Sequence, residues 1–387
     1  MNIICPETLC TGCCSCLNSC PHQAIGMVEN EFGWIIPKID ANLCAYCGLC
    51  KKSCPQIVEN ELLEPQSIYA AWSKSKEEHL SSSSGGAASV FYRRFIEEYS
   101  GVCIGAAFED NLFLRHTVAE NMDDLVRFKG SKYVQSFTGD IFSQIRELLE
   151  HSPVLFIGLP CQVEGLKIYL KNLDINEENE RLFTVDLICH GVPPVSYLQQ
   201  HYGKYLKKNP KISINFRTNR NFRMTLSSEK IKKVKRNDIY LCAFLSAVTY
   251  RESCYNCKYA QQKRSGDITI GDFWGLSDEI ERLKDAKNGC SVIIVNSKKG
   301  KKLFDLCKGD FVFFERTLEE AIRENGQLNH PSVPHKRRDI FLKKYTKKGF
   351  SCACRVALSF EFQIRCVYNY LSCFIPRKLK KSLRKII

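Results

Sequence analysis

The sequence has little that would place it in a membrane or outside a cell. Its uncharged apolar stretches all fall short of the roughly 20 residues that cross a bilayer. Residues 1–6 carry neither a basic start nor a long apolar run, so no secretory leader is expected. No G-x-G-x-x-G follows a strand-like segment, which leaves a Rossmann dinucleotide site without support. Net positive charge is also missing from most of the chain. The formal net charge is +14 over 387 residues, but residues 336–387 hold fifteen Lys/Arg against only Asp339 and Glu361. The preceding 335 residues balance at 41 basic against 40 acidic, so no nucleic-acid partner is expected. Cysteine, by contrast, is abundant, with 22 residues. Such a load in a chain without a leader points to a reducing, cytoplasmic compartment and to thiols held by metal.

Eight of these cysteines form two near-copies of one motif. Cys10, Cys13, Cys16 and Cys20 are followed by Pro21, and Cys44, Cys47, Cys50 and Cys54 by Pro55. Both copies read C-x2-C-x2-C-x3-C-P, the run that ligates [4Fe–4S] clusters in bacterial ferredoxins. One tight loop offers three thiolates to three corners of a small cube. The fourth cysteine, at the start of a helix, reaches across to the other cube. The pattern predicts Cys10, Cys13, Cys16 and Cys54 on one cluster, and Cys44, Cys47, Cys50 and Cys20 on the other. Zinc fits less well, because its sites usually pair two ligands with two others across a longer gap. Cys14 falls between ligand positions and reads as a packed thiol. Residues 29–37 read as a hairpin between the motifs.

From Ile68 onward short β-rich runs alternate with helical periodicity, an α/β pattern. Residues 81–86 (SSSSGG) open an apparent helix over 87–99, whose Val90, Phe91, Phe95, Ile96 and Tyr99 share one face. Amides at that N-terminus suit a phosphate or pyrophosphate; a flexible serine linker with a helix cap is the plainer alternative. The loop Lys129-Gly130-Ser131-Lys132-Tyr133 either clamps a phosphate, stacks a ring or is a solvated turn. Residues 153–158 form a continuous apolar run typical of a buried parallel strand, and 182–188 (LFTVDLI) read as a second such strand. The first ends in Leu159-Pro160-Cys161 at a helix start, the second in Cys189-His190-Gly191. Such sheets place their sites at strand carboxyl ends, so Cys161 and Cys189 are expected to lie close together. Cys254 and Cys257 add a C-x2-C pair, giving four candidate thiolates for a third cluster. Two alternatives stay open: buried structural cysteines, and a Cys161–His190 nucleophile pair.

Six motifs then carry a family resemblance: residues 82–86 (SSSGG), 130–136 (GSKYVQS), 158–167 (GLPCQVEGLK), 185–193 (VDLICHGVP), 253–257 (SCYNC) and 267–275 (DITIGDFWG). In this order they resemble the family of coenzyme F420 hydrogenase/dehydrogenase beta subunits, here behind a fused dicluster ferredoxin unit. The resemblance implies a flavin, FAD, with an iron–sulfur cluster beside it, and electron exchange with a deazaflavin or another partner. It implies Ser84, Gly85, Gly86, Lys129, Gly130, Ser131, Lys132 and Tyr133 as flavin contacts. It likewise implies Cys161, Cys189, Cys254 and Cys257 as ligands of the third cluster. The chain departs from the family at His79-Leu80, where Arg is common. It departs again after Phe216-Arg217, where Asn219 and Phe222 stand in a region that usually carries Lys and Trp.

The expected fold class is α+β. A small dicluster ferredoxin-like domain (1–58) and a linker (59–67) precede a larger mixed α/β flavin-binding domain (68–345) and a basic helical tail (346–387). In the tail Ala357, Phe360, Ile364, Val367, Leu371 and Phe374 recur at helical spacing, before six basic residues within 377–385. That pattern suits an amphipathic helix on anionic lipid at the inner face of the cytoplasmic membrane, or a helix packed on its own domain. The expected function is an oxidoreductase between a two-electron partner (a deazaflavin, NAD(P)H or an organic substrate) and a redox partner protein. A flavin handles electron pairs and clusters handle single electrons. The alternative is a non-catalytic electron-transfer or scaffold component of a membrane-associated complex, one serving polysaccharide synthesis among the options. No side chain stands out as a general acid.

Overall fold

The computed structural model describes residues 3–175, 180–217, 222–228, 231–235, 237–276 and 285–371. At the front, β1 (Ile25–Glu29) and β2 (Ile35–Ile39) pair antiparallel. The turn between them is tied by Asn30, whose Oδ1 accepts from the Phe32 and Trp34 amides. Two one-turn helices, α1 (Ser15–Asn18) and α2 (Leu49–Lys52), follow the cysteine loops. Each is entered through a left-handed residue, Cys14 (φ 61) in one copy and Gly48 (φ 76) in the other. Cys14 tolerates that conformation with its side chain fully buried and its thiol turned to Gly12 O.

The body is built on one eight-stranded sheet. Its strands are β3 (Ser67–Ser73), β4 (Val102–Phe108), β5 (Leu114–Ala119), β6 (Val154–Gly158) and β7 (Leu182–Leu187). A separate antiparallel set, β8 (Ser213–Asn215), β9 (Met224–Ser228) and β10 (Ile231–Lys235), comes next. The large sheet then resumes with β11 (Ile268–Asp272), β12 (Ser291–Val295) and β13 (Phe311–Arg316). Its order is β13-β3-β12-β11-β7-β6-β4-β5. The central four, β4, β6, β7 and β11, run parallel, while β5, β12, β3 and β13 join antiparallel at the flanks. Every residue of β6 is buried, as a strand covered on both faces must be. The parallel set turns the carboxyl ends of β6, β7 and β11 toward one edge, which is the edge that matters below.

Helices α3 (Lys76–Ser81) and α4 (Ala87–Tyr99) follow β3. The α4 face Val90, Phe91 and Phe95 is fully buried, and Phe95 meets Phe183 of β7 edge-on at 5.4 Å. Next come α5 (Ile141–Leu148), then α6 (Pro160–Lys171), which crosses from β6 to β7. Pro160 suits the first turn of α6, where its missing donor has no partner to lose. A second, aromatic core gathers α7 (Val195–Leu206), α8 (Ile239–Leu245) and the C-terminal helices, beyond the short α9 (Glu252–Tyr255), α10 (Lys298–Cys307) and α11 (Leu318–Arg323). There α12 (Arg338–Lys348) and α13 (Phe350–Leu371) bury Phe341, Phe350, Ala353, Cys354, Ala357 and Leu358 among Tyr197, Tyr202 and Tyr240. The first half of α13 is thus core material, anchored further by Phe350 N donating to Gln200 Oε1. Phe360 and Val367, from the same helical stripe, are exposed. The Leu371 side chain, Phe374 and residues 377–385 lie outside the described residues, as does Asn219. No helix among the described residues is long and apolar enough to cross a membrane.

Candidate iron–sulfur and cofactor site

The front unit folds its cysteines into an inner and an outer group. Cys10, Cys13, Cys16 and Cys54, drawn from both motif copies, line one cavity of ≈ 320 Å³ together with Cys5 and Cys14. All four are buried. In the outer group Cys20, Cys44 and Cys50 are half-buried and Cys47 is exposed. Cys20 and Cys47 are the thiols that act electrostatically on Cys50. The structure therefore brings each crossing cysteine to the opposite copy's loop.

A second cavity, of ≈ 650 Å³, opens at the carboxyl edge of the large sheet. Cys161 at the start of α6, Cys189 just past β7, and Cys254 and Cys257 around α9 all line it. Among the described residues no three His, Cys, Asp or Glu side chains converge on the position of a single metal ion. The cysteines line the two cavities from separate elements. Burial pushes the Cys13 and Cys254 thiols up to about 12, and raises Cys16, Cys161 and Cys189 well above the usual thiol range. Thiols grouped in this way fit a multi-iron core, whose positive charge strips a coordinating thiol of its proton. The same burial argues against the Cys161–His190 nucleophile, which needs a lowered thiol. The carboxylate near His190, Asp272, is paired with Arg217 at 2.6 Å.

The two cavities share a wall. Thr11 lines both, and Gln135, in the second, takes the Thr11 carbonyl through its Nε2 at 2.9 Å. Arg251, 2 % exposed, donates to Cys10 O, to Gln135 Oε1 at 3.1 Å and to Ile35 O at 2.8 Å. These partners are neutral, so the guanidinium charge stays directed at the cysteines on either side. At Cys10 a hydrogen bond from Cys5 outweighs burial, and with the Arg251 charge it brings the thiol down to about 6. Arg264, 1 % exposed, pairs with the fully buried Asp186 of β7 at 2.9 Å. It also holds Tyr259 O at 3.0 Å, locking the chain after Cys257 against the sheet.

Arg251, Arg264, Cys5 and Thr11 are the residues that motif reading missed. Arg251 stands three residues before Cys254, but no spacing rule marks a cation that closes a cluster site from another element.

The candidate flavin loops are also brought together. Ser131 N donates to Ser83 Oγ at 2.8 Å, and Lys129 Nζ to Ser81 Oγ at 3.2 Å. Gly86, at φ 90, is the N-cap of α4, and no side chain caps that helix. Gly85 lies so near the sheet that a Cβ would meet Ala71 O at 2.2 Å, so its missing side chain serves packing. The Ser84 hydroxyl donates to Cys290 O. Lys132 is turned inward, its amine donating to Phe128, Lys129 and Gly130 carbonyls, and burial lowers it to about 7. Tyr133 stacks on Phe244 at 4.5 Å. Near it Arg217 lies over Phe222 at 4.9 Å and Trp274 at 5.8 Å, with its Nε buried and unpartnered. The uncapped α4 amides, the Lys129 amine, these aromatic plates and the orphan Nε fit an anionic cofactor with a flat ring. His79 backs the same loop: its carbonyl accepts from Ser82 N, its Nε2 contacts Gly289 O at 2.7 Å, and its ring stacks on Trp72.

Comparison with known proteins follows the same division. Residues 9–58 match the 4Fe-4S dicluster domain, and residues 151–320 match the family described as the C terminus of the coenzyme F420 hydrogenase/dehydrogenase beta subunit. The chain joins a dicluster domain to a domain of that beta-subunit type. Similar curated proteins include the F subunit of F(420)H(2) dehydrogenase from Methanosarcina mazei, 21% identical over 328 residues, covering 79% of this chain and 84% of the relative. An uncharacterized polyferredoxin-like protein of Methanocaldococcus jannaschii is 40% identical over 57 residues, which is 13% of this chain and 34% of that one. Among solved structures, a chain of the F420-reducing [NiFe] hydrogenase complex from Methanosarcina barkeri, studied by xenon derivatization, aligns with TM-score 0.47 at 20% identity. The alignment covers 77% of this chain and 94% of that chain. The chain is thus related to coenzyme F420 hydrogenase/dehydrogenase beta subunits over residues 151–320 and carries a 4Fe-4S dicluster domain in front of that region.

Proposed function

We propose that this chain is an iron–sulfur flavoprotein that passes electrons between a two-electron partner and a one-electron carrier. The observation that supports it most is the shared wall: Thr11 and the Cys10 loop stand between two cysteine-lined cavities, with a third cysteine group beyond. In this reading Cys161, Cys189, Cys254 and Cys257 hold the innermost cubane. Cys10, Cys13, Cys16 and Cys54 hold the next, and Cys20, Cys44, Cys47 and Cys50 the outermost. A bound flavin would supply hydride exchange and release of single electrons. The α4 amides with Ser84 to Gly86 and Lys129 would take its diphosphate, and the loop through Tyr133, with Arg217, its ring. Arg251 holds the first two cysteine groups in register and offsets their negative charge when loaded. The two-electron partner is a deazaflavin, NAD(P)H or an organic substrate.

Full-length protein prepared without oxygen should carry about twelve irons, three four-iron clusters, and about one flavin. Reduced deazaflavin or NAD(P)H should bleach it. Cys161→Ala should remove about four irons. A colourless, flavin-free protein after anaerobic reconstitution overturns the proposal, and unchanged iron in Cys161→Ala removes the innermost cluster from it.

A further inference from the structure

The three cysteine groups differ sharply in depth. The inner ferredoxin set is buried, with Cys10, Cys13, Cys16 and Cys54 at 6–8 % exposure, whereas Cys47 of the outer set is open to solvent. The loop that carries Cys47 also projects Leu43, Tyr46 and Leu49, each of them exposed, with Tyr46 at 69 %. Tyr46 is held in the left-handed region at φ 57, a conformation that disfavours a bulky residue unless the loop fixes it. Large apolar side chains standing together in water mark a surface for another protein.

Lysines are in excess around this patch, against Glu59 and Glu61, exposed on either side of Asn60, to whose Oδ1 Lys171 Nζ donates at 3.5 Å. Lys51 and Lys52 are exposed in the last turn of α2. Asn172 donates to Lys52 O and Ser53 Oγ, which brings the end of α6 and the exposed Lys171 beside them. The acid within the loop, Asp40, accepts from Asn42 N and lies at its opposite end. An apolar centre with a lysine rim over an exposed cluster loop is complementary to a small acidic protein. Electron transfer through a brief encounter needs no larger area.

We propose that residues 43–52 form the docking face for a small acidic one-electron carrier protein. The proposal rests on the electron-transfer reading above. Each encounter would pass one electron between the carrier's redox centre and the cluster that Cys20, Cys44, Cys47 and Cys50 would hold, the donor being oxidised as the acceptor is reduced. Two encounters match one two-electron turnover.

The test uses full-length, anaerobically prepared protein and a small, strongly acidic 2[4Fe–4S] ferredoxin as probe. In Lys51→Glu/Lys52→Glu the Kd by calorimetry should weaken, and the second-order rate of reduction should fall, by at least ten-fold at low salt. The salt dependence of both should flatten. In Leu43→Ser/Tyr46→Ser the Kd should weaken with the salt dependence kept. Iron content, cubane resonance signals and reduction by the small dye methyl viologen should stay within two-fold in both variants. Normal cubane signals with ferredoxin binding indifferent to both pairs of substitutions would overturn the docking face alone. So would a wild-type dimer that Leu43→Ser/Tyr46→Ser splits, since the patch would then belong to a second copy. Absence of cubane signals in the wild type would overturn the electron-transfer reading itself.

Discussion

Gly165, one turn beyond Cys161 on α6, faces Cys13 so closely that a Cβ built on it would lie 3.1 Å from the Cys13 sulfur. Ser15 Oγ donates to Gly165 O at 2.9 Å, so helix and cysteine loop are in direct contact there. A methyl there would have to displace the Cys13 sulfur by a few tenths of an ångström.

Gly165→Ala gains up to about 1 kcal/mol of helix preference but must move Cys13 by a few tenths of an ångström. We expect full iron content with altered resonance signals from the inner ferredoxin cluster. Gly165→Val is too wide for any small shift and should lose about four irons. Iron analysis beside paramagnetic resonance reads both.

Arg251→Met removes three hydrogen bonds that join Cys10, Gln135 and Ile35. Hydrogen bonds to a charged group contribute about 1.5–3 kcal/mol each, and not additively. The expected loss is roughly 3 kcal/mol in urea unfolding, with Arg251→Lys recovering less than half because it lacks the planar fork.

Asp186→Asn leaves the Arg264 guanidinium buried without its counter-charge. Breaking such a pair from one side costs about 3–5 kcal/mol. Since Arg264 secures the chain after Cys257, iron should fall by about a third while the ferredoxin signals remain.

Asp238 gives the pH prediction. Burial alone would push its carboxyl up, but His201, Lys235 and Tyr202 outweigh burial and hold it well below the usual carboxylate range. A lowered folded value stabilises the protein above the unfolded value of about 3.9, and the gain disappears as pH falls through the folded one. Asp238→Asn should lose roughly 3 kcal/mol at pH 7 and show a flatter stability profile between pH 5 and pH 2.

The sequence made some of this plain and hid the rest for physical reasons. β6 and α4 were legible because an unbroken apolar run and a 3.6-residue stripe are local signals, and residues 87–99 form the helix their spacing predicts. The paired cysteine motifs were legible because their chemistry fixes short spacings. Asp186 was hidden inside the apolar run of β7, where its partner lies 78 residues away. Arg251 was hidden for the same reason, with Cys10 241 residues distant. The antiparallel flank β12-β3-β13 depends on long-range register that no local pattern records. The repeat in α13 reads alike along its length, yet Ala357 and Leu358 are the last of it in the aromatic core and Phe360 is exposed, while the later turns bring Arg365 and Cys366 beside Cys242 of α8.

The bonds crossing from the cysteine loops have an evolutionary corollary. Thr138 grips Cys13 O, Asn18 reaches Gly139 O, and Gln135 takes Thr11 O. A foreign ferredoxin cassette grafted at the linker would arrive without matching grips and would leave α6 facing a misfitted lid. Lineages that swap this module must therefore change both halves of the seam together, and a clipped chain starting after residue 58 should precipitate rather than survive as a smaller protein.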